Sequence, residues 1–296
     1  MWPALTSPLV TRLASGLIIS ALIGWLAYNR QSLSRSGVLG AIITGTLIFG
    51  FGGLTAGLLL IAFFVSSSLL SHYKANSAHK RLAAEQFDKG GQRDLGQALA
   101  NGGAAASLAV LSWLAQDQPA LFGALYAAMV GALATVNADT WATELGVLSA
   151  TSPRLITRLS QRVVPGTSGG VTLLGSSAAL GGAAFIALCY VAFITLEQAL
   201  AGGGGQTQSV AWAIAIGAAV AGLAGSLFDS LLGATVQAMY YSDRRGKETE
   251  KAREHDGTPN RLIRGWPWLN NDWVNFLASL FGAAASAFIF SILGAG

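Results

Sequence analysis

Eight apolar stretches divide the chain, at roughly 10–28, 37–51, 53–71, 97–116, 119–137, 170–196, 209–236 and 271–293. A helix that crosses a bilayer needs about 20 mostly apolar residues, fewer where its ends snorkel or protein shelters it. Charged residues make up 11% of the 296 positions, against about 25% in a soluble domain. Such a chain could not wet the surface of a single water-soluble fold, and it lacks the polar, charged composition of a disordered one. Its one Cys excludes a disulfide framework and a Cys-based metal cluster. The expected fold class is therefore an all-α polytopic membrane protein, one integral-membrane domain over 1–296 with about eight transmembrane helices. Met1 to Val10 carries no Lys or Arg and no small-x-small cleavage pattern follows, so the first stretch reads as a retained anchor. Only Gly52-Gly53 separates the second stretch from the third. A tight hairpin and one long broken helix both fit.

The basic residues orient this map. Seventeen of the 18 Lys and Arg lie in alternate connections: Arg30 and Arg35, then 74–93, then 154–162, then 244–264. The opposite turns, including Gln116-Asp117-Gln118, carry none. Under the positive-inside rule the basic connections, with loops at 72–96, 138–169 and 237–270, are cytoplasmic and both termini lie outside. Arg12 is the exception, expected to snorkel to the outer interface. The membrane would be a bacterial inner or plasma membrane, or a thylakoid or other organellar one. Topology and anionic headgroups account for the formal net charge of +4, so membrane lipid is the expected partner and nucleic acid is not. Cys189 reads as a packing residue. His72, His79 and His255 lack metal-ligand spacing, and Trp266, Trp268 and Trp273 read as an interfacial belt.

Most of the 14 carboxylates lie among Lys and Arg in the basic loops or beside the outer turns. Four do not. Asp139, Glu144, Asp229 and Asp272 each lie at or within an apolar stretch, near its cytoplasmic end. Ionisable groups at such depth are costly and mark function by default. On a helix Asp139 shares a face with Thr143, and Thr140 with Glu144, while Asp139 and Glu144 stand about 140° apart. They can flank one cavity but cannot easily clasp one ion. Asp229 projects from a ladder of small residues, Gly225 and Gly233. Asp272 follows Asn270-Asn271 and could cap its own helix as readily as serve a site.

Carboxylates gathered with Asn and Thr oxygens suit Mg²⁺, which takes one or two carboxylates plus substrate phosphates. Two segments could meet the phosphates. Val164 to Thr172, holding Thr167, Ser168, Gly169 and Gly170, is a Gly- and hydroxyl-rich turn expected to lead directly into a helix, whose N-terminal N–H groups favour anions. In Lys89-Gly90-Gly91-Gln92-Arg93-Asp94, Lys89 and Arg93 could clamp phosphate. A solvated basic loop is the plainer reading of that segment.

Taken together these blocks resemble the family of transmembrane protein 19 and plant phytyl-phosphate kinase. The resemblance is carried by Asn137-Ala138-Asp139-Thr140-Trp141-Ala142-Thr143-Glu144-Leu145-Gly146, then Ser152 to Thr157, then Pro165 to Thr172. It extends to Lys89 to Asp94 with Asn101-Gly102-Gly103, to Gly225 to Ala234 and to Asn270 to Phe276. It implies an integral-membrane kinase that transfers a phosphoryl group from CTP or another nucleoside triphosphate to an isoprenyl monophosphate such as phytyl phosphate. Phytyl diphosphate feeds tocopherol and phylloquinone synthesis within that family. An acidic helix end followed by a Gly-Thr/Ser-Gly turn is also similar to CTP-dependent dolichol and phytol kinases. On that resemblance Asp139, Glu144 and Asp229 are the catalytic acids and, with Asp272, the Mg²⁺ ligands. Lys89, Arg93, Asn101, Thr143, Arg154, Thr167, Ser168, Gly169 and Gly170 would bind phosphate and nucleotide. The prenyl tail would lie between helices, and self-association is open. Two other classes use similar parts. A transporter or flippase of an anionic or lipid-phosphate substrate has buried acids and Gly-interrupted helices, and a cytidylyltransferase would use the same metal site but release pyrophosphate.

Overall fold

Small side chains decide how the helices meet. A computed structural model describes residues 8–84, 91–200, 202, 208–254 and 256–293. Within them lie α1 (Leu9–Asn29), α2 (Arg35–His72), α3 (Ala78–Ala84), α4 (Leu95–Leu114), α5 (Pro119–Gly146), α6 (Leu173–Leu200), α7 (Gln208–Thr235) and α8 (Asn271–Leu293). The centre is α5, which packs against α2, α4, α6, α7 and α8. Every residue from Tyr126 to Ala138 is buried, the signature of a helix surrounded by others. Ala, Gly and Val dominate that run, so neighbours approach closely. Thr135, for example, fills a notch formed by Gly225 of α7 and Gly282 of α8.

At Gly53 the chain leaves helical geometry, with φ at +83°. The contacts show a reversal. Phe49 packs against Gly57, and a Cβ placed on Gly45 would lie 3.8 Å from the Leu60 side chain. Along a straight helix those pairs would stand about 12 and 22 Å apart. The two halves of α2 therefore run antiparallel, which settles the alternatives in favour of the hairpin. A helix that stops leaves its last carbonyls without N–H partners. Here Arg12 supplies them from α1, its guanidinium donating to the carbonyls of Gly50 and, at 2.9 Å, Phe51. Arg12 is buried. The snorkelling role expected for it is replaced by a cap on the reversal.

Six helices, α1, α2, α5, α6, α7 and α8, are long and apolar enough to cross a membrane. The two antiparallel halves of α2 match the second and third apolar stretches, so the departure from eight lies at the Ala-, Gly- and Asn-bearing α4, which is not among the six. Helix α5 also extends through Gly146, so residues 138–146 are helical where a loop was expected.

Two small antiparallel sheets occupy connections also read as loops. Between α5 and α6 lie β1 (Arg154–Leu155), β2 (Arg158–Arg162) and β3 (Gly170–Val171), in the order β2-β1-β3. Between α7 and α8 lie β4 (Met239–Ser242), β5 (Lys247–Thr249) and β6 (Arg261–Arg264), in the order β5-β4-β6. Strands of two to five residues carry too little alternation to read from sequence. The second sheet is anchored to the end of α7, where Arg264 donates to the Gly233 carbonyl at 2.8 Å and Ala238 pairs with Leu269.

Candidate functional site

A polar cavity of about 570 Å³ opens where these sheets meet the ends of α4, α5, α7 and α8. Asp139 and Asp229 line it from adjacent helices. The Ser226 hydroxyl lies 3.5 Å from Asp139 Oδ1, a long contact. Asp229 Oδ2 is buried without a hydrogen-bond partner, and the Asp139 and Glu250 carboxylates both repel it. An unpaired buried carboxylate beside two like charges is costly. A cation between Asp139 and Asp229 would relieve that cost, so this pair fits Mg²⁺.

The other expected metal ligands are arranged differently. Glu144 points away from Asp139, as five residues of separation on a helix require. Its carboxylate accepts from Ser71 Oγ at 2.6 Å and from Lys80 Nζ at 2.5 Å. Asp272 lines the same cavity. The cap of α8 is not Asp272 but Asn270, whose Oδ1 accepts from the Trp273 N–H at 3.2 Å. Among the described residues no three His, Cys, Asp or Glu side chains are grouped to hold a metal. All four acids expected from the sequence line this cavity, with Glu144 engaged by Lys80 and Asp139 acting on Asp229.

The Gly-rich turn packs against the end of α7, one helical turn beyond Asp229. Thr167, Ser168, Gly169 and Gly170 all line the cavity. Gly166 and Gly169 have φ of +88° and +83°, a region open to Gly at little cost. Each also lies against another element, Gly166 on Ala83 of α3 and Gly169 on Ala234 of α7. Ser168 Oγ donates to Gln237 Oε1 at 2.6 Å, and Gln237 Nε2 donates to Glu250 at 2.9 Å. This chain of bonds ties the turn to the second sheet. The turn does not run straight into α6. Strand β3 intervenes, and the α6 N-terminus is capped by Thr172, whose Oγ1 accepts from the Gly175 N–H at 2.9 Å. This cap takes one N–H group of a helix end that itself lines the cavity.

Arg93, Asn101 and Thr143 also line the cavity. The Arg93 backbone is held in place, its N–H donating to Ser32 and its carbonyl accepting from Ser34, both at 3.0 Å. Burial lowers the pKa of its guanidinium. Arg154 is elsewhere, exposed in β1 and donating to the Leu159 carbonyl at 2.6 Å. Lys89 lies outside the described residues.

Sequence reading missed Lys80, Glu250, Lys251 and Asn275, which also line the cavity. Lys80, Glu250 and Lys251 sit among many other loop charges, so nothing in composition singles them out. Asn275 could have been found, because it shares a helix face with Asn271 at i,i+4.

Comparison with known proteins gives the chain its relatives. It is 37% identical over 292 residues to Protein PGR of Arabidopsis thaliana, covering 94% of this chain and 98% of the relative. It is 28% identical over 291 residues to an uncharacterized membrane protein of Methanocaldococcus jannaschii, covering 97% and 98%. No solved structure matches it. The integral membrane protein DUF92 family matches residues 18–283. With nine-tenths of its length matched, the chain belongs to the integral membrane protein DUF92 family, the group that its sequence blocks resemble.

Proposed function

We propose that this protein is a membrane phosphotransferase. It moves a phosphoryl group from CTP or another nucleoside triphosphate to an isoprenyl monophosphate, giving the diphosphate. The observation that carries this reading is one cavity lined by the Asp139 and Asp229 carboxylates and by a Gly-Thr-Ser-Gly-Gly turn. Phosphoryl transfer needs positioning and charge neutralisation more than covalent chemistry, and those are the parts present. Asp139 and Asp229 would hold Mg²⁺, which supplies neutralisation of the triphosphate charge when bound. The Thr167 to Gly170 turn would cradle phosphate oxygens, and Arg93 and Asn101 would orient the acceptor.

An acceptor phosphate oxygen attacks the γ-phosphorus, the bond from that phosphorus to the β–γ bridging oxygen breaks, and the nucleoside diphosphate leaves with the electron pair. The acceptor is already an anion near neutral pH, so no strong general base is needed. Under the positive-inside rule the basic connections favour a cytoplasmic position for this end of the helices, where soluble nucleotide is available.

Purified protein is incubated with isoprenyl monophosphates, Mg²⁺ and each labelled nucleotide in turn. Isoprenyl diphosphate together with nucleoside diphosphate is the expected product pair. Released pyrophosphate would instead indicate nucleotidyl transfer. No turnover with any pair would overturn the kinase reading and favour transport.

A further inference from the structure

A second cavity, of about 70 Å³, lies between α1, the two halves of α2, and α4. Its walls include Phe49, Leu60, Ile61, Phe63 and Phe64. It is not separate from the polar cavity. Arg93, Gln97 and Asn101 line both, so the three polar side chains form a border between an apolar cleft and a polar chamber. At that border the Arg93 guanidinium sits 5.6 and 6.0 Å from the ring centroids of Phe63 and Phe64. Among the described residues no carboxylate forms an ion pair with it. The cleft therefore ends at a cation whose plane is supported by aromatic rings and whose backbone is tied to the α1–α2 turn.

Two neighbouring environments of opposite polarity, joined at one cation, select an amphiphile with an anionic end. Nucleotide or inorganic phosphate alone has no group for the apolar part. A diacyl phospholipid brings two chains to a cleft narrow enough for one. We infer that this cleft binds the hydrocarbon tail of a monoalkyl or monoprenyl phosphate, with Arg93, Gln97 and Asn101 at the junction of tail and headgroup. This rests on the kinase reading, since it seats that acceptor's phosphate in the same chamber as Asp139 and Asp229. It adds which helices hold the tail. The lining is short of a full long chain, so the tail's far end would leave between helices towards lipid, where apolar surface is not penalised.

The test needs no turnover. A prenyl monophosphate with a diazirine in its first isoprene units is photolysed with the detergent-purified protein, and the labelled peptides are mapped by mass spectrometry. Label is expected on Ile61 and Phe64. An unlabelled long-chain monoalkyl phosphate should compete at least about tenfold better than inorganic phosphate or a diacyl phospholipid. Ala41→Phe, which fills the cleft, should lower labelling about tenfold while the circular dichroism spectrum is unchanged. If that variant does not fold, Ile61→Ala, which widens the cleft, should move the label deeper among cleft residues. Label confined to the outward faces of α6 or α7, undiminished labelling of folded Ala41→Phe, or equal competition by phospholipid would each overturn the inference. Labelling in the cleft without turnover on any nucleotide would sink the kinase reading and leave the tail site standing. Turnover with label elsewhere would do the reverse.

Discussion

Lys80 of α3 and Glu144 of α5 form an ion pair at 2.5 Å. Through it, an acid that lines the cavity also holds a short helix beside it. The same α3 carries Ala83, on which Gly166 of the Gly-rich turn rests. Glu144 thus acts on the turn through Lys80 and α3.

Replacing Glu144 should therefore weaken the structure more than it alters the chemistry. The side chains are 9% and 23% exposed, between a surface pair worth about 0–1 kcal/mol and a buried one whose rupture costs about 3–5. Glu144→Gln should lose about 1–2 kcal/mol of stability by those limits. Adding Lys80→Met should recover part of it in a double-mutant cycle of thermal unfolding. Activity should fall chiefly through KM for the nucleotide. A thousandfold loss of kcat with unchanged unfolding would assign Glu144 to the metal instead.

Asp229 should show the opposite behaviour. Its Oδ2 has no partner, and removing a buried charge near like charges relieves a penalty of about 1–3 kcal/mol. Asp229→Asn should raise the apparent Tm of the protein in EDTA while abolishing turnover. Millimolar Mg²⁺ should raise the Tm of the wild type but not that of Asp229→Asn or Asp139→Asn. A metal-induced shift that survives both substitutions would rule out the facing pair as the site.

Gly169 is constrained twice. Its φ is +83°, and a Cβ there would lie 2.5 Å from Ala234. Gly169→Ala should cost at least about 1–3 kcal/mol, the range for a residue held in strained backbone, and should raise nucleotide KM by displacing the turn. Gly246 also has positive φ, at +63°, but a Cβ there meets nothing within 4 Å. Gly246→Ala should cost less and leave nucleotide KM unchanged.

The second sheet should loosen in acid. Ser242 donates to Glu254 at 2.7 Å, and Asn260 and Arg245 add bonds at 3.2 and 2.6 Å. Ser242 first, then Asn260 and Arg245, hold the Glu254 carboxyl below its usual range. A carboxyl whose folded pKa is depressed contributes stability above its unfolded pKa and loses it as pH falls through the folded value. Limited proteolysis between β4 and β6 should therefore accelerate below about pH 4, where an unperturbed Glu titrates. In Glu254→Gln that step should be absent, with cleavage faster at neutral pH.

What could be read from the sequence follows from how costly each residue is where it lies. Asp139 and Asp229 were legible because a carboxylate in an apolar helix has few bland explanations. The turn at Thr167 to Gly170 was legible by its Gly and hydroxyl content, but its relation to α6 was not. Thr172 is an ordinary residue until its hydroxyl is seen to cap that helix. Glu144 and Asp139 look alike in sequence, two acids at one helix end. Their different surroundings come from what faces them across space, Ser71 and Lys80 in one case and α7 in the other. Glu250 belongs to the cavity only because Gln237 and Ser168 tie its strand region to the turn, and no spacing in the chain encodes that. The reversal at Gly53 was one of two readings, decided by Phe49 meeting Gly57.

Arg12 gives the order of assembly a chemical reason. During synthesis α1 enters the membrane before α2 exists, and it already carries the guanidinium that the carbonyls of Gly50 and Phe51 will require. Until those carbonyls arrive, a charged side chain waits without its partners. Until Arg12 is present, the carbonyls of Gly50 and Phe51 lack this side-chain donor. The two segments are therefore chemically interdependent, each supplying the partner that the other lacks.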